Sequence, residues 1–162
     1  MARNRAPMPA TRDSGILRPS MSARKIIETF EAWRKEGRPM VLATVCETMG
    51  STYSKPGHRI LIGPDGIYQG LVSGGCLEGD LAERAQSVLR GGSPELVTYD
   101  MRDEADELWG LGIGCNGLLR VFLQSLVPAD DYEPFASIAR AQYEGDRAVV
   151  GSLTFDVLQR RL

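Results

Sequence analysis

Ile67-Tyr68-Gln69-Gly70-Leu71-Val72-Ser73-Gly74-Gly75-Cys76-Leu77-Glu78 is the stretch on which the fold turns. Ile67 to Val72 reads as a strand, and Ser73 to Cys76 breaks it. Leu77, Leu81, Ala85, Val88 and Leu89 then fall on one helical stripe, closed by Arg90 and Gly91-Gly92. A strand that feeds a helix through a tight glycine turn is the unit of an α/β protein. Upstream, Gly63-Pro64-Asp65-Gly66 predicts a hairpin back to a strand at Arg59–Ile62, because Pro presets φ and Gly accepts positive φ.

The same alternation continues in both directions. Met40-Val41-Leu42-Ala43-Thr44-Val45-Cys46 is nearly unbroken in apolar residues and β-rich, as for a strand buried on both faces. Before it, a helix is expected from Ser20 or Ser22, carrying Ile26, Ile27, Phe30 and Trp33 and ended by Gly37 and Pro39. Glu47 to His58 reads as a polar loop. After the central helix come a strand at Glu95–Tyr99, an acidic stretch of one or two helical turns at Arg102–Trp109 and a glycine loop at Gly110–Gly117. A strand at Leu118–Leu126, a helix at Tyr132–Tyr143 and a last strand at Ala148–Phe155 complete the pattern. The expectation is an α/β fold: a mixed sheet with flanking helices, in a single domain over residues 21–162. Residues 1–20 hold four Arg, three Pro and one Asp without apolar periodicity, and read as a mobile tail.

Composition narrows the function classes. The chain has 162 residues, 43% hydrophobic and 25% charged, which excludes general disorder and coiled-coil classes. Lys plus Arg number 19 against 21 Asp plus Glu, so no basic footprint for nucleic acid or an anionic membrane exists. No apolar run nears the roughly 20 residues of a membrane helix. Three cysteines are an odd count for a disulfide framework, and with one histidine they cannot close a zinc site without carboxylates. A cytoplasmic, thiol-reducing compartment is expected.

Three loops concentrate the chemistry. The first, Thr48 to Gly57, offers Gly50, Ser51, Thr52, Ser54 and Lys55 as anion donors but lacks P-loop spacing. The second, Ser73-Gly74-Gly75-Cys76, opens a helix whose free N–H groups and partial positive charge suit a phosphate or other anion. Helix N-termini also lower thiol pKa values, whereas Glu78 adds a like charge, so the sign at Cys76 stays open. The alternative is a tight turn with an inert buried thiol. The third, Gly110 to Gly117, contains Gly114, Cys115 and Asn116; it precedes a strand and is not a dinucleotide fingerprint. Cys46 is expected to be core only. His58 stands alone, and without a G-x-S-x-G elbow hydrolase chemistry is not expected.

Together these strings resemble the XdhC/CoxI family, specifically its N-terminal domain, over about residues 39–124. The resemblance is carried by Val41-Leu42-Ala43-Thr44-Val45, Glu47-Thr48-Met49-Gly50-Ser51 and Lys55-Pro56-Gly57. Gly70 to Glu78 and Gly112-Ile113-Gly114-Cys115-Asn116-Gly117 complete it. It implies an accessory factor for a molybdenum hydroxylase of the xanthine dehydrogenase or carbon monoxide dehydrogenase type. Such a factor binds molybdenum cofactor (molybdopterin) as cargo, and assists its sulfuration and insertion into the apo-enzyme. The implied cofactor-binding residues are Gly50, Ser51, Ser73, Gly74, Gly75, Cys76, Gly114, Cys115 and Asn116, with Cys76 and Cys115 in contact with molybdenum. The implied partners are the apo client, a cysteine desulfurase, a second copy of the chain, and a separate Rossmann-domain polypeptide. Longer members carry that Rossmann domain in the same chain; here it is expected to be missing. This is the reading of a binding protein rather than an enzyme. Its competitors are a thiol sulfur carrier with Cys76 as persulfide, and a regulatory module that needs neither cofactor nor thiol.

Overall fold

The computed structural model describes residues 21–102 and 117–144. In chain order the elements are α1 (Met21–Lys35), β1 (Met40–Gly50), β2 (Arg59–Ile62), β3 (Tyr68–Gly70), α2 (Glu78–Gly91), β4 (Glu95–Asp100), β5 (Gly117–Leu126) and α3 (Phe135–Glu144). The predicted tail, the acidic helical turns, most of the third loop and the last strand lie outside the described residues.

The five described strands form one sheet in the order β3-β2-β1-β5-β4. The single α/β domain and its flanking helices are as the sequence indicates. The pairings differ from the mixed sheet expected: all four are antiparallel. β3 and β4, joined through α2, run in the same direction. They lie on opposite edges, however, with three strands between them, so no parallel pair forms.

β1 is the centre because its sequence can bury both faces. Val41, Ala43 and Val45 join Ile60, Ile62, Leu119, Val121 and Leu123 beneath Leu81, Ala85 and Val88 of α2. Met40 and Leu42 point the other way, into Phe30 and Trp33 of α1 and Phe135 of α3. Phe30 and Phe135 meet edge to face at 4.9 Å, which seats α3 on α1. Each fully buried side chain of this size stabilises by about 1.5–3 kcal/mol. The two-sided core therefore holds β1 and β5 as a rigid platform.

β1 runs four residues further than the apolar string, through the segment expected to be loop. Glu47 to Gly50 stay paired with Arg120 to Gly117, after a register shift between Val45 and Glu47. The extra residue is Cys46, and this bulge is where the strand leaves the core and bends toward the loops. The β2–β3 hairpin closes as its turn residues predict: the Gly63 N–H donates to the Ile67 carbonyl at 2.8 Å, and Gly66 has φ +78°. Among the described residues, no helix is long and apolar enough to cross a membrane.

Candidate functional site

At the ends of β1, β3 and β5, away from the hairpin turn, the first two loops meet. The buried Ser54 hydroxyl donates to the Val72 carbonyl, tying the first loop to the second. Thr52 in turn donates to the Ser54 carbonyl at 2.9 Å. A Cβ on Gly74 would lie 3.4 Å from the Tyr53 ring, so the turn lies directly against that aromatic face. Gly117, the first residue of β5, is crowded further: a Cβ there would stand 2.7 Å from the carbonyls of Met49 and Ser51. Only glycine permits the strand to start so close to the first loop.

The result is a shallow cleft, with room for little more than a water molecule, walled by Thr52, Tyr53, Val72, Ser73, Cys76, Leu77, Met101 and Leu119. Its lining is largely apolar, with Thr52, Ser73 and the soft Cys76 thiol as its polar members. Cys76 is half-buried and unbridged.

The turn that carries Cys76 is organised by a carboxylate. Glu78 is fully buried. One of its oxygens, Oε1, accepts the N–H groups of Val72 at 2.8 Å and Ser73 at 2.9 Å. The other, Oε2, accepts the Ser73 hydroxyl at 2.5 Å and the Gly75 N–H at 2.9 Å. Ser73 Oγ accepts the Leu77 N–H at 2.8 Å. Cys76 is thus bracketed by two anchored residues. Burial pushes the Glu78 carboxyl up, but the bonds from the Ser73 hydroxyl and from the Ser73 and Val72 N–H groups outweigh it, and the group sits below the ordinary glutamate range.

The second loop therefore differs from expectation. Its sequence offers the turn's N–H groups to a phosphate, with Glu78 as a like charge near the thiol. In the structure Glu78 itself takes the N–H groups of Val72, Ser73 and Gly75. A signal for this lies in the sequence: Glu78 is in phase with Leu81, Ala85 and Val88, the buried face of α2. A carboxylate at i on an i, i+3, i+7, i+10 apolar stripe must face inward and find donors there.

The other candidates are placed as follows. Gly50 pairs with Gly117, and both Gly50 and Ser51 are exposed. Ser73 is half-buried; Gly74 and Gly75 are exposed, with φ +81° and +118°. Gly114, Cys115 and Asn116 lie outside the described residues. Lys55 and His58 are exposed and serve a turn: the Lys55 N–H donates to His58 Nδ1 at 3.2 Å. Cys46 is half-buried rather than core, with its thiol on the Arg120 carbonyl at 3.3 Å, and burial pushes that thiol's pKa up. Met101 and Leu119, unmarked by any motif, line the cleft. Among the described residues, no cluster of three His, Cys, Asp or Glu side chains could hold a metal ion.

The sequence pattern of the XdhC and CoxI family matches residues 33–100, from the end of α1 through β4. Over 97 residues the chain is 38% identical to a probable xanthine dehydrogenase subunit of Bacillus subtilis (strain 168); this covers 60% of the chain and 29% of that protein. Among solved structures, a xanthine dehydrogenase from Bacillus halodurans matches with a TM-score of 0.60 and 37% identity, over 73% of this chain and 34% of that one. The chain thus spans about a third of the length of these relatives.

Proposed function

The chain belongs to the XdhC and CoxI family through residues 33–100, and from that we propose that it is an accessory factor for a molybdenum hydroxylase of the xanthine dehydrogenase type. In this reading its cargo is molybdenum cofactor, held at the cleft beside the Ser73–Cys76 turn while its terminal sulfur is installed, and then passed to the apo-enzyme. The observation that carries the reading is the placement of Cys76: a thiol fixed between two anchored residues, at the wall of a mainly apolar cleft beside the Tyr53 ring.

The chemistry fits the cargo. A thiol is a soft ligand matched to a molybdenum centre bearing sulfur. The exposed Tyr53 ring beside the turn offers a flat pterin a surface on which to stack. Cys115, which the resemblance also implies as a contact for the cargo, stands two residues before Gly117 in the sequence. The client enzyme, the sulfur donor and any Rossmann-domain polypeptide are the partners this reading requires.

The test is cofactor content. Protein purified anaerobically from a host that makes molybdenum cofactor is assayed for pterin by oxidation and fluorescence, and for molybdenum by mass spectrometry. Near-stoichiometric pterin in the wild type, with little in Cys76→Ser, is expected. A wild type without pterin, even after incubation with supplied cofactor, overturns the cargo reading and leaves a docking module. Full pterin in Cys76→Ser moves the site away from this thiol.

A further inference from the structure

A turn with consecutive N–H groups at the start of a helix is a nest for an anion. Here the nest is already filled from within. The two oxygens of Glu78 accept four hydrogen bonds, from Val72 N, Ser73 N, Ser73 Oγ and Gly75 N, which is a carboxylate's full capacity. No second charge balances Glu78 among these contacts; the turn's dipoles do so. Burying a carboxylate is costly unless every lone pair is used. These bonds do not cap α2: they run to Val72, Ser73 and Gly75, which precede the helix, and its N-cap residue, Leu77, makes no side-chain cap bond. What the carboxylate adds is the fixed path of Ser73-Gly74-Gly75-Cys76, with two glycines at positive φ delivering the thiol to the cleft wall.

We propose that Glu78 is a positioning residue acting through Cys76: its carboxylate is the resident anion of the turn, so the turn presents the thiol and turns away the phosphate of the cargo. The inference rests on the reading that the cargo meets this cleft, and it refines which end of the cargo enters. The end that meets Cys76 is the uncharged ring or the soft metal–sulfur centre. The phosphate is bound elsewhere.

The experiment follows alkylation of each cysteine in the full-length reduced chain with iodoacetamide, resolved by peptide mass spectrometry. Cys46, in the β1 bulge and bonded to the Arg120 carbonyl, is the internal reference. In Glu78→Ala, Cys76 is expected to react about threefold faster or more, as the turn opens, with Cys46 unchanged. Sodium acetate or inorganic phosphate then refills the vacated nest and slows Cys76 toward the wild-type rate, an effect that general loosening of the fold does not produce. In the wild type neither anion changes the Cys76 rate. Glu78→Gln keeps the shape but lacks the second acceptor oxygen; it too reacts faster, and it decides the matter if Glu78→Ala does not fold. Protection of wild-type Cys76 by phosphate, or a Cys76 rate in Glu78→Gln equal to wild type, overturns the proposal. These readouts need no pterin. A wild type that lacks pterin therefore sinks the cargo reading alone, and a null result on alkylation sinks the role of Glu78 alone.

Discussion

Two glycine turns in this protein differ in how they are held. Gly63-Pro64-Asp65-Gly66 closes itself: the Gly63 N–H reaches the Ile67 carbonyl at 2.8 Å, and the Gly66 N–H reaches the Gly63 carbonyl at 3.1 Å. Its carboxylate, Asp65, is exposed and reaches out to Arg38 at 2.9 Å. Ser73-Gly74-Gly75-Cys76 is held from outside. The N–H groups of Val72, Ser73 and Gly75 converge on Glu78, a side chain of the following helix, buried completely. The first turn closes through its own backbone, with Gln86 of α2 adding one bond to the Gly63 carbonyl at 3.2 Å. The second borrows an anion, and its shape fails if the anion is removed. A turn whose conformation is imposed by its surroundings can hold a side chain where local preference alone would not.

The largest expected effect tests that dependence. Glu78→Ala leaves three backbone donors and the Ser73 hydroxyl without their acceptor beside an apolar core. Each buried donor left without its acceptor costs about 1–3 kcal/mol, and several are lost here together. Urea denaturation of the full chain should show a loss of this size. A loss comparable to an ordinary surface substitution would mean that water replaces the carboxylate without strain, and that the second turn closes itself as the first does.

Much of this architecture is legible in the chain. Met40 to Val45 shows its two-sided burial directly, and Gly63-Pro64-Asp65-Gly66 specifies its hairpin, since both signals are local. Strand adjacency is not legible. The separation of β3 and β4 across β2, β1 and β5 depends on pairings distant in sequence. At the site, the Ser-Gly-Gly-Cys turn and its helix are visible as residue types. The role of Glu78 is obscured because its charge beside a thiol competes with its phase on the helix. Its position three residues before Leu81 and seven before Ala85 outranks its polarity. The extension of β1 past Cys46 is hidden by its polar composition, and arises because β5 supplies backbone partners as far as Gly117.

A middle-sized effect separates conformation from anchoring. Gly66 and Gly75 both hold positive φ, +78° and +118°. Alanine at such positions costs about 1–3 kcal/mol. Neither glycine would clash, since nothing lies within 4 Å of the added Cβ at either position. Thermal unfolding should therefore drop for both Gly66→Ala and Gly75→Ala. Only Gly75→Ala should also change the alkylation rate of Cys76, because only that glycine lies on the path that aims the thiol. A Cys76 rate that moves equally in both variants would show that it reports global stability and not the local turn.

The smallest effect is expected at the other carboxylate. Asp65 accepts the Ile67 N–H at 3.2 Å and pairs with Arg38, but neither bond is needed to define the turn. Ile67 is already fixed through its carbonyl by Gly63, and Arg38 keeps its stacking on Trp33, 4.7 Å from the ring centre, when Asp65 is gone. Exposed ion pairs contribute little in water. Asp65→Ala should shift the urea midpoint less than Gly66→Ala does, and leave the Cys76 alkylation rate where it is. If it instead destabilised the chain as Glu78→Ala does, exposure would not be what separates the two carboxylates. The contrast between a turn that closes itself and a turn built around a buried anion would then fail at its simplest point.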